Sequence, residues 1–267
     1  MRILVLSALL GALVQMTFAQ KNKGFALYLL PDRIKSAELD KLDVGKLKPE
    51  GRPLLTTEDV FSYVRDRHEM RLYYEAGKRI KNLAVPVSGR PFAVFVDDEP
   101  VYAGAFWTSF SSVSFRGVAV DVAGLEGDFP TLKFELDYPP LAPKNPAADP
   151  RSDERIFRAF ENAKRLYEEV WLEGRCQSIK GTGKRRQSYV LTFAVERVAK
   201  STWTAPVVTF EVFFDVPESP LTALGAEMIP NDQGPEKWKF DARKKLLLKF
   251  ERNVGSPEQM YFKGFEQ

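Results

Sequence analysis

The sequence has few of the residues that carry redox or metal chemistry. It contains one cysteine, Cys176, and one histidine, His68, among 267 residues. A single cysteine cannot form an internal disulfide, and a single histidine excludes a multi-histidine zinc site and a His/Cys cluster. Stability must therefore come from the packing of apolar side chains, and we expect neither a metal centre nor a cofactor.

Motifs for nucleotide binding and nucleophilic catalysis are also lacking. Residues 181–184 (GTGK) are similar to the end of a P-loop, but the rest of that motif is missing. A P-loop needs glycine at the position of Ser178 and serine or threonine at the position of Arg185. No Gly-x-Ser-x-Gly motif is present, and we interpret His68 as a solvent-facing turn residue without a nucleophile to activate. Cys176 is interpreted as a half-buried structural thiol. The sequence nominates no catalytic residue.

The chain has no excess of one charge and no long apolar run outside its N-terminus. Lys plus Arg number 39 and Asp plus Glu number 36, giving a formal net charge of +3, which does not favour a polyanionic partner. No segment after the first 20 residues approaches the about 20 apolar residues that span a bilayer. We therefore expect no nucleic-acid partner and, once the N-terminus is removed, no transmembrane segment.

Residues 1–19 have the features of a signal peptide. Arg2 supplies a positive charge, residues 3–14 are uncharged and mainly apolar, and Thr17 and Ala19 place small residues at the −3 and −1 positions of a cleavage site. Gln20 stands where a lipoprotein carries the cysteine to be acylated. We expect cleavage after Ala19 and a periplasmic or secreted location; an uncleaved N-terminal anchor is the alternative.

A proline-rich stretch divides the rest of the chain. Five prolines between residues 138 and 151 remove backbone donors, so neither a helix nor a central strand fits there. We predict an α+β module over residues 23–137, a linker over 138–151, and a helix followed by a mainly-β module over 152–267.

The strongest local signal in the first module is the segment 91–107. Two β-rich runs flank the acidic residues Asp97, Asp98 and Glu99, which predicts a β-hairpin. We interpret these three carboxylates as turn-forming, because they lack the spacing of a calcium-binding loop. Further elements are predicted from periodicity: a strand over 24–30, a hairpin over 60–73, a helix over 75–83, and strands over 117–122 and 131–136.

The second module is predicted to begin with an amphipathic helix. Ser152 is a suitable N-cap, and Ile156, Phe160, Ala163 and Tyr167 recur at helical spacing. Apolar residues then alternate with a period of two, which predicts enough strands for a small barrel or sandwich: 170–179, 189–195, 208–214 and 245–250.

The hairpin of the first module resembles the periplasmic head of the SecD protein-export subunit. The segments 92–97, 100–103 and 118–120 carry the resemblance. It implies a ferredoxin-like or similar α+β sandwich and does not imply a role in translocation. Residues 56–60 and 104–112 resemble parts of exported bacterial proteins that have no assigned activity.

The second module resembles the netrin/TIMP-type OB barrel of secreted proteins, on four segments: 174–179, 189–198, 207–216 and 245–250. The resemblance implies an OB-like β-barrel. The animal members use disulfides and an N-terminal cysteine to inhibit metalloproteases. This chain has neither, so that activity is not carried over, and an OB-like fold serves many ligands.

The densest aromatic group provides the candidate binding residues. Tyr102, Phe106, Trp107 and Phe110 lie close together in sequence and are followed by Phe115. Core packing is one interpretation of these rings. The other is an exposed apolar patch that binds a protein or glycan partner at the cell envelope, with Tyr102, Phe106, Trp107 and Phe110 as its ligand-binding residues.

Together these observations favour an exported, non-enzymatic binding or assembly protein of the bacterial envelope or extracellular space. One alternative is a carboxylate-dependent, glycan-directed hydrolase with two carboxyl groups about 5 to 10 Å apart in a cleft between the modules. Another is protease inhibition by an edge of the OB-like barrel. The sequence specifies neither the ligand nor the oligomeric state.

Overall fold

A computed structural model describes residues 23–123, 125–139, 149–181, 188–201, 207–213, 226–229, 237–240, 245–256 and 260–266. Over these ranges the protein is mostly β, with two α-helices and several short 3-10 helices. The predicted signal peptide, residues 140–148 of the predicted linker and residues 182–184 of the GTGK loop lie outside the described residues. Among the described residues, no helix is both long and apolar enough to span a membrane.

The elements of the first half lie within a few residues of their predicted positions, and both predicted hairpins are confirmed as antiparallel pairs. In chain order they are β1 (Phe25–Leu29), 3-10 helices at Ser36–Lys41 and Val44–Lys46, β2 (Leu55–Thr56), a 3-10 helix at Thr57–Asp59, β3 (Val60–Val64), β4 (Glu69–Leu72), α1 (Tyr74–Lys81), β5 (Arg90–Val96), β6 (Glu99–Trp107), β7 (Phe115–Asp121) and β8 (Thr131–Tyr138).

The second half consists of one α-helix and further strands. They are a 3-10 helix at Pro150–Ser152, α2 (Glu154–Asn162), β9 (Leu166–Gly181), β10 (Ser188–Lys200), β11 (Val207–Phe213), β12 (Ala226–Ile229), β13 (Lys237–Phe240), β14 (Leu246–Asn253) and β15 (Met260–Glu266). The predicted N-cap was wrong by one residue: Asp153 caps α2, because its carboxylate accepts a hydrogen bond from Arg155 N at 2.8 Å. The helix ends at Asn162, so Tyr167 lies on β9.

Most strands belong to one large sheet. Its order is β11-β10-β9-β3-β4-β8-β7-β6-β5-β1-β2, and β14 pairs with both β9 and β15. Strands β3 and β9 pair in parallel, with Tyr63 N donating to Arg165 O at 2.8 Å and Arg65 N to Tyr167 O at 2.9 Å. This ladder joins the chain before and after the proline-rich stretch. Strands β12 and β13 form a separate pair.

Helix α2 packs against strands of the first half of the chain. The Phe160 ring lies 5.0 Å from the Phe25 ring and stacks on Tyr63 at 4.8 Å. Ile156 and Phe157 are buried in the same core. The helix therefore shares the core of residues 23–137, although it was predicted to open the second module; the division of the chain into two modules stays a prediction.

Strand β6 is buried on both faces, which positions the candidate site. Because successive side chains of a strand point to opposite faces, Tyr102 and Phe106 enter the main core while Ala105 and Trp107 enter a smaller second core. The second core also contains Leu39, from the 3-10 helix at Ser36–Lys41. The side chain of Trp107 thus lies between the sheet and the segment that follows β1.

Candidate functional site

The structure buries three of the four predicted binding residues. Tyr102 and Phe106 are buried in the main core, and only 2% of Trp107 is exposed. Phe110, on the loop after β6, is 88% exposed. The prediction of one exposed patch formed by all four rings is therefore wrong, because the alternation along β6 directs the first three into cores on both sides of the sheet.

A cavity of about 480 Å³ lies beside Trp107, at the end of β6. Besides Trp107, it is lined by residues 32 and 34–37, residues 86 and 88–91, and residues 113–115. Apolar side chains such as Ile34, Val113 and Phe115 form much of its wall. We call this the Trp107 cavity; its volume lies within the range of small-molecule sites.

Gly89 allows the walls of the cavity to meet. Its φ is +80°, a left-handed conformation, and a Cβ atom there would lie 2.3 Å from Cζ3 of Trp107 and 2.8 Å from Oγ of Ser36. Both distances are far below van der Waals contact. A side chain at this position would therefore displace the indole or the hydroxyl, and glycine also adopts this backbone conformation without strain.

Aromatic packing fixes the indole of Trp107. Its ring stacks on Phe115 with centroids 5.1 Å apart and planes inclined by 23°, and it contacts the Tyr138 ring at 5.8 Å. The Tyr138 hydroxyl donates to Ser109 O at 3.4 Å, which connects this ring to the loop after β6. Trp107 therefore provides one fixed wall of the cavity.

Two buried polar atoms of the cavity-lining residues lack hydrogen-bond partners. In the described part of the chain, only three buried side-chain polar atoms have no partner, and two of them are Ser36 Oγ and Trp107 Nε1. Leaving a buried donor unpaired costs about 1 to 3 kcal/mol. Both atoms are covered by neighbouring atoms, so a ligand in the cavity does not reach them in this conformation.

Three charged side chains line the cavity, two of them positive. The Arg90 guanidinium forms an ion pair with the Asp32 carboxylate. Lys35 Nζ donates to the backbone oxygen of Asp32 at 2.8 Å. With two cations and one carboxylate, the lining carries a net positive charge.

Exposed apolar side chains lie beside this cavity. Val87, Phe110 and Val113 are all exposed, and Val113 is part of the cavity wall. Ser111 Oγ donates to Val87 O at 2.7 Å, so the loop after β6 is tied to the segment before β5. Phe110 is thus the one predicted binding residue on the surface, and it is close in sequence to the cavity wall.

His68 is largely buried, which corrects its interpretation as a solvent-facing residue. Its side chain is 12% exposed; Nδ1 lies 3.1 Å from the Tyr63 hydroxyl and Nε2 lies 3.6 Å from Asp149 Oδ2. Burial, reinforced by the charge of Arg151, lowers the pKa of His68 to about 4. The charged sequence neighbours Arg67 and Glu69 suggest exposure, but the ring of His68 is held by its contacts with Tyr63 and Asp149, which no local pattern in the sequence indicates.

Cys176 is a buried free thiol on β9. Burial raises the pKa of Cys176 to about 11, so the thiol stays protonated near neutral pH. This agrees with the interpretation of Cys176 as a structural residue. Within the described ranges, no three His, Cys, Asp or Glu side chains form a group that could hold a metal ion.

A second cleft, of about 550 Å³, is more polar. Its lining includes the carboxylates of Glu58, Asp97 and Glu99 together with Arg155 and other residues. Asp97 and Asp98 have φ values of 53° and 66°, as in a tight hairpin turn, which agrees with their turn-forming interpretation. Two carboxylates of the cleft already have partners: Asp97 Oδ1 accepts from Gly24 N, which also lines the cleft, at 2.7 Å, and Glu58 pairs with Arg165, which does not, at 3.1 Å.

An ion-pair cluster connects β4 and the turn before it to β14. Glu251 accepts hydrogen bonds from Arg67 Nη2 at 2.6 Å and from Arg71 Nη1 and Nη2 at 2.6 and 2.7 Å. Burial opposes ionisation, but the hydrogen bonds from Arg71 and Arg67 outweigh it and lower the pKa of Glu251 to about 2. Every strong contact of this carboxylate is to another side chain of the cluster, so we assign it a structural role.

The Trp107 cavity is therefore the candidate site. Sequence reasoning found Trp107 and the nearby Phe110 but missed Ser36 and Gly89, which lie on other segments. The only local signal for them was the Ser88-Gly89 pair, which is typical of a turn. No protein-family model, curated protein or solved structure matches the chain.

Proposed function

We propose that the protein is an exported, non-enzymatic binding protein of the bacterial envelope or extracellular space, and that the Trp107 cavity is its ligand-binding site. The observation that carries the proposal is the cavity of about 480 Å³ in the described part of the chain, whose lining is mainly apolar and also includes the charged side chains of Asp32, Lys35 and Arg90. Binding sites commonly combine apolar walls with a few polar groups that orient the ligand.

Export is part of this proposal and rests on residues 1–19. Expression of the full chain in a bacterium, followed by fractionation and N-terminal sequencing, tests it. We expect an extracytoplasmic product that begins at Gln20. A product that keeps Met1 and stays with the cytoplasmic fraction would contradict it.

The finer architecture is also proposed: an α+β, ferredoxin-like arrangement for the first module and an OB-like barrel for the second. The helices packed with the strands of residues 23–137 support the first part. The antiparallel pairs β9–β10, β10–β11 and β14–β15 support a mainly-β second module.

Binding at the cavity is tested with a neutral apolar dye, N-phenyl-1-naphthylamine, whose fluorescence rises in an apolar site. We expect saturable binding of one dye per chain, weakened at least tenfold by Ala37→Trp. Ala37 is exposed and lines the cavity, so we expect a bulky side chain there to occupy part of its space without replacing a buried core residue.

The matched control is Ala84→Trp, which places the same side chain at another exposed position away from the cavity lining. This variant should bind the dye as the unmodified protein does. The proposed site is wrong if no saturable binding occurs, or if both variants bind as the unmodified protein does.

A carboxylate-dependent hydrolase is the second candidate, favoured by the three carboxylates that line the polar cleft. It predicts release of reducing ends from a glycan panel. Activity should be lost in a double variant, Asp97→Asn with Glu99→Gln, in which asparagine tolerates the left-handed backbone of residue 97. Absence of turnover by the unmodified protein, or full activity of the double variant, eliminates this candidate.

A further inference from the structure

We propose that an exposed apolar tip of the protein docks on the surface of a lipid bilayer. The apolar tip consists of Val87, on the segment between α1 and β5, and of Phe110 and Val113, on the loop after β6. All three residues are exposed. This interaction goes beyond the proposed function and does not depend on it, because it uses these accessible side chains and not a ligand of the Trp107 cavity.

One hydroxyl group holds the two segments of the apolar tip together. Ser111 Oγ donates to Val87 O at 2.7 Å and accepts from Val113 N at 3.2 Å. The backbones of both valines are therefore bonded to the same atom, and Phe110 is the neighbour of Ser111 in the chain. Single exposed apolar residues scattered over a surface need no explanation, but these three lie together.

The loop after β6 holds Phe110 away from the rest of the protein. Phe110 is 88% exposed, so it protrudes from the surface. Its backbone N donates to Thr108 Oγ1 at 3.4 Å, and Ser111 N donates to Thr108 O at 2.9 Å, so the turn that carries the ring is hydrogen-bonded. An apolar ring held in water gains free energy when an apolar phase covers it.

The two segments that carry the apolar tip have no unpaired charge. Residues 82–96 and 100–120 contain no Asp or Glu, and their only charged residues are Arg90 and Arg116. Arg90 forms an ion pair with Asp32, and Arg116 Nη1 donates to Asp137 Oδ2 at 2.8 Å. The tip therefore approaches an apolar phase without taking an isolated charge out of water, which would be costly.

The size and shape of the apolar tip favour a bilayer over a protein partner. A stable protein interface uses about 20 to 30 residues a side and needs a surface that is complementary in shape. The tip offers three apolar side chains, and Phe110 protrudes from it. A fluid bilayer adapts its shape to a protruding ring, and interfacial proteins attach to it by burying apolar groups about 5 to 10 Å deep.

Other exposed large apolar residues of the described structure differ from the apolar tip. They are Tyr73, Tyr74, Phe129 and Tyr261. Three of them carry a hydroxyl group, and Phe129 follows Asp128 and lies with its ring 4.3 Å from the Phe61 ring. Tyr74 precedes Glu75 and is 57% exposed, so it provides a control: an exposed aromatic residue outside the tip.

Co-sedimentation with sucrose-loaded vesicles of pure phosphatidylcholine tests the proposal. These vesicles have no net charge, so attraction of a positively charged protein to anionic lipid does not contribute. Removing residues 1–19 keeps every described residue and prevents that apolar segment from binding lipid itself. We expect the protein to bind, and the vesicle affinity to fall by about fivefold or more in Phe110→Ser but by less than about twofold in Tyr74→Ser.

A gain of affinity provides a second measurement. Tryptophan prefers the interface between membrane and water, so Phe110→Trp should bind the vesicles several-fold more tightly than the unmodified protein does. The difference between the fluorescence spectra of the two proteins isolates the signal of residue 110 from that of the other tryptophans. With vesicles this difference signal should shift to shorter wavelength; an unshifted signal would show that residue 110 stays in water and would contradict the proposal.

Three other outcomes overturn the proposal. The first is the absence of binding to phosphatidylcholine vesicles, including binding that requires anionic phosphatidylglycerol and disappears at about 0.5 M salt, which is electrostatic adsorption. The second is an equal loss of affinity in Phe110→Ser and Tyr74→Ser. The third is self-association in analytical ultracentrifugation that Phe110→Ser abolishes, without vesicle binding, which would assign the apolar tip to a second copy of the chain.

Discussion

The buried carboxylate of Glu251 is expected to be a major source of stability. Replacing it with glutamine keeps the shape of the side chain but removes the charge that Arg67 and Arg71 share. Only 1% of the Glu251 side chain is exposed, and it accepts three hydrogen bonds of 2.6 to 2.7 Å from these arginines. Glu251→Gln leaves two positive charges close together without this partner.

The expected cost follows from the burial of the partners. Removing one member of a fully buried ion pair costs about 3 to 5 kcal/mol. Arg67 and Arg71 are only partly buried, and Arg67 keeps a 2.8 Å hydrogen bond to Glu69. We therefore expect Glu251→Gln to lower the free energy of unfolding by about 3 kcal/mol, at the low end of that range.

Urea unfolding at pH 7, followed by circular dichroism, measures this loss. The control is Glu58→Gln, because Glu58 is 84% exposed and pairs with Arg165 at 3.1 Å. Exposed pairs contribute about 0 to 1 kcal/mol, so this control should change stability little. The reasoning is refuted if Glu251→Gln costs less than 1 kcal/mol, or if Glu58→Gln costs as much.

The pH dependence of the same variant gives a sharper test. The pKa of Glu251 is about 2 in the folded protein, against a usual value of 4.5. A lowered folded-state pKa contributes stability that is complete above 4.5 and is lost as the pH falls towards 2. The difference between the unmodified protein and Glu251→Gln should therefore narrow over this range. A difference that stays constant down to pH 2 would show that the charge is not its cause.

Three further predictions use other residues. The free energy of unfolding should fall as the pH drops from 6.5 to about 4, because His68 binds a proton at a higher pH in the unfolded chain than in the folded protein. In melting experiments, His68→Gln should reduce this fall by about 2 kcal/mol. Cys176 should resist alkylation by iodoacetamide at pH 7.5 until urea unfolds the protein. Gly89→Ala should cost at least about 2 kcal/mol more than Gly51→Ala in urea unfolding, since both glycines have a positive φ but no atom lies within 4 Å of a Cβ at residue 51.

Local patterns in the sequence were sufficient to predict most of the elements in the first half. The hairpin of β5 and β6 is an example, because its two β-rich runs and its acidic turn are all local features. The contact of α2 with Phe25 could not be predicted in this way. An amphipathic pattern shows that one face of a helix is buried, but it does not specify which strands cover that face. The parallel pairing of β3 and β9 is non-local for the same reason.

The candidate site was predicted only in part. The sequence of β6 does contain a signal for burial: Tyr102, Ala103, Ala105, Phe106 and Trp107 do not alternate with polar residues, which is typical of a strand covered on both faces. That signal favours core packing over an exposed patch, as the structure has it. The walls contributed by residues 34–37 and 86–91 depend on chain crossings, which no local pattern encodes.

The stabilising cluster and the proposed site lie on different strands, and this permits a decisive comparison. Glu251 joins β14 to β4 and its preceding turn, whereas the Trp107 cavity is bounded by β5, β6, the start of β7 and the segment after β1. Mutations without shared contacts usually act independently. Glu251→Gln should therefore lower stability without changing the affinity for N-phenyl-1-naphthylamine, whereas Ala37→Trp should lower that affinity without lowering stability. If each substitution changes both quantities in proportion, the apparent affinity reports only the fraction of folded protein, and the assignment of the Trp107 cavity as the binding site is contradicted.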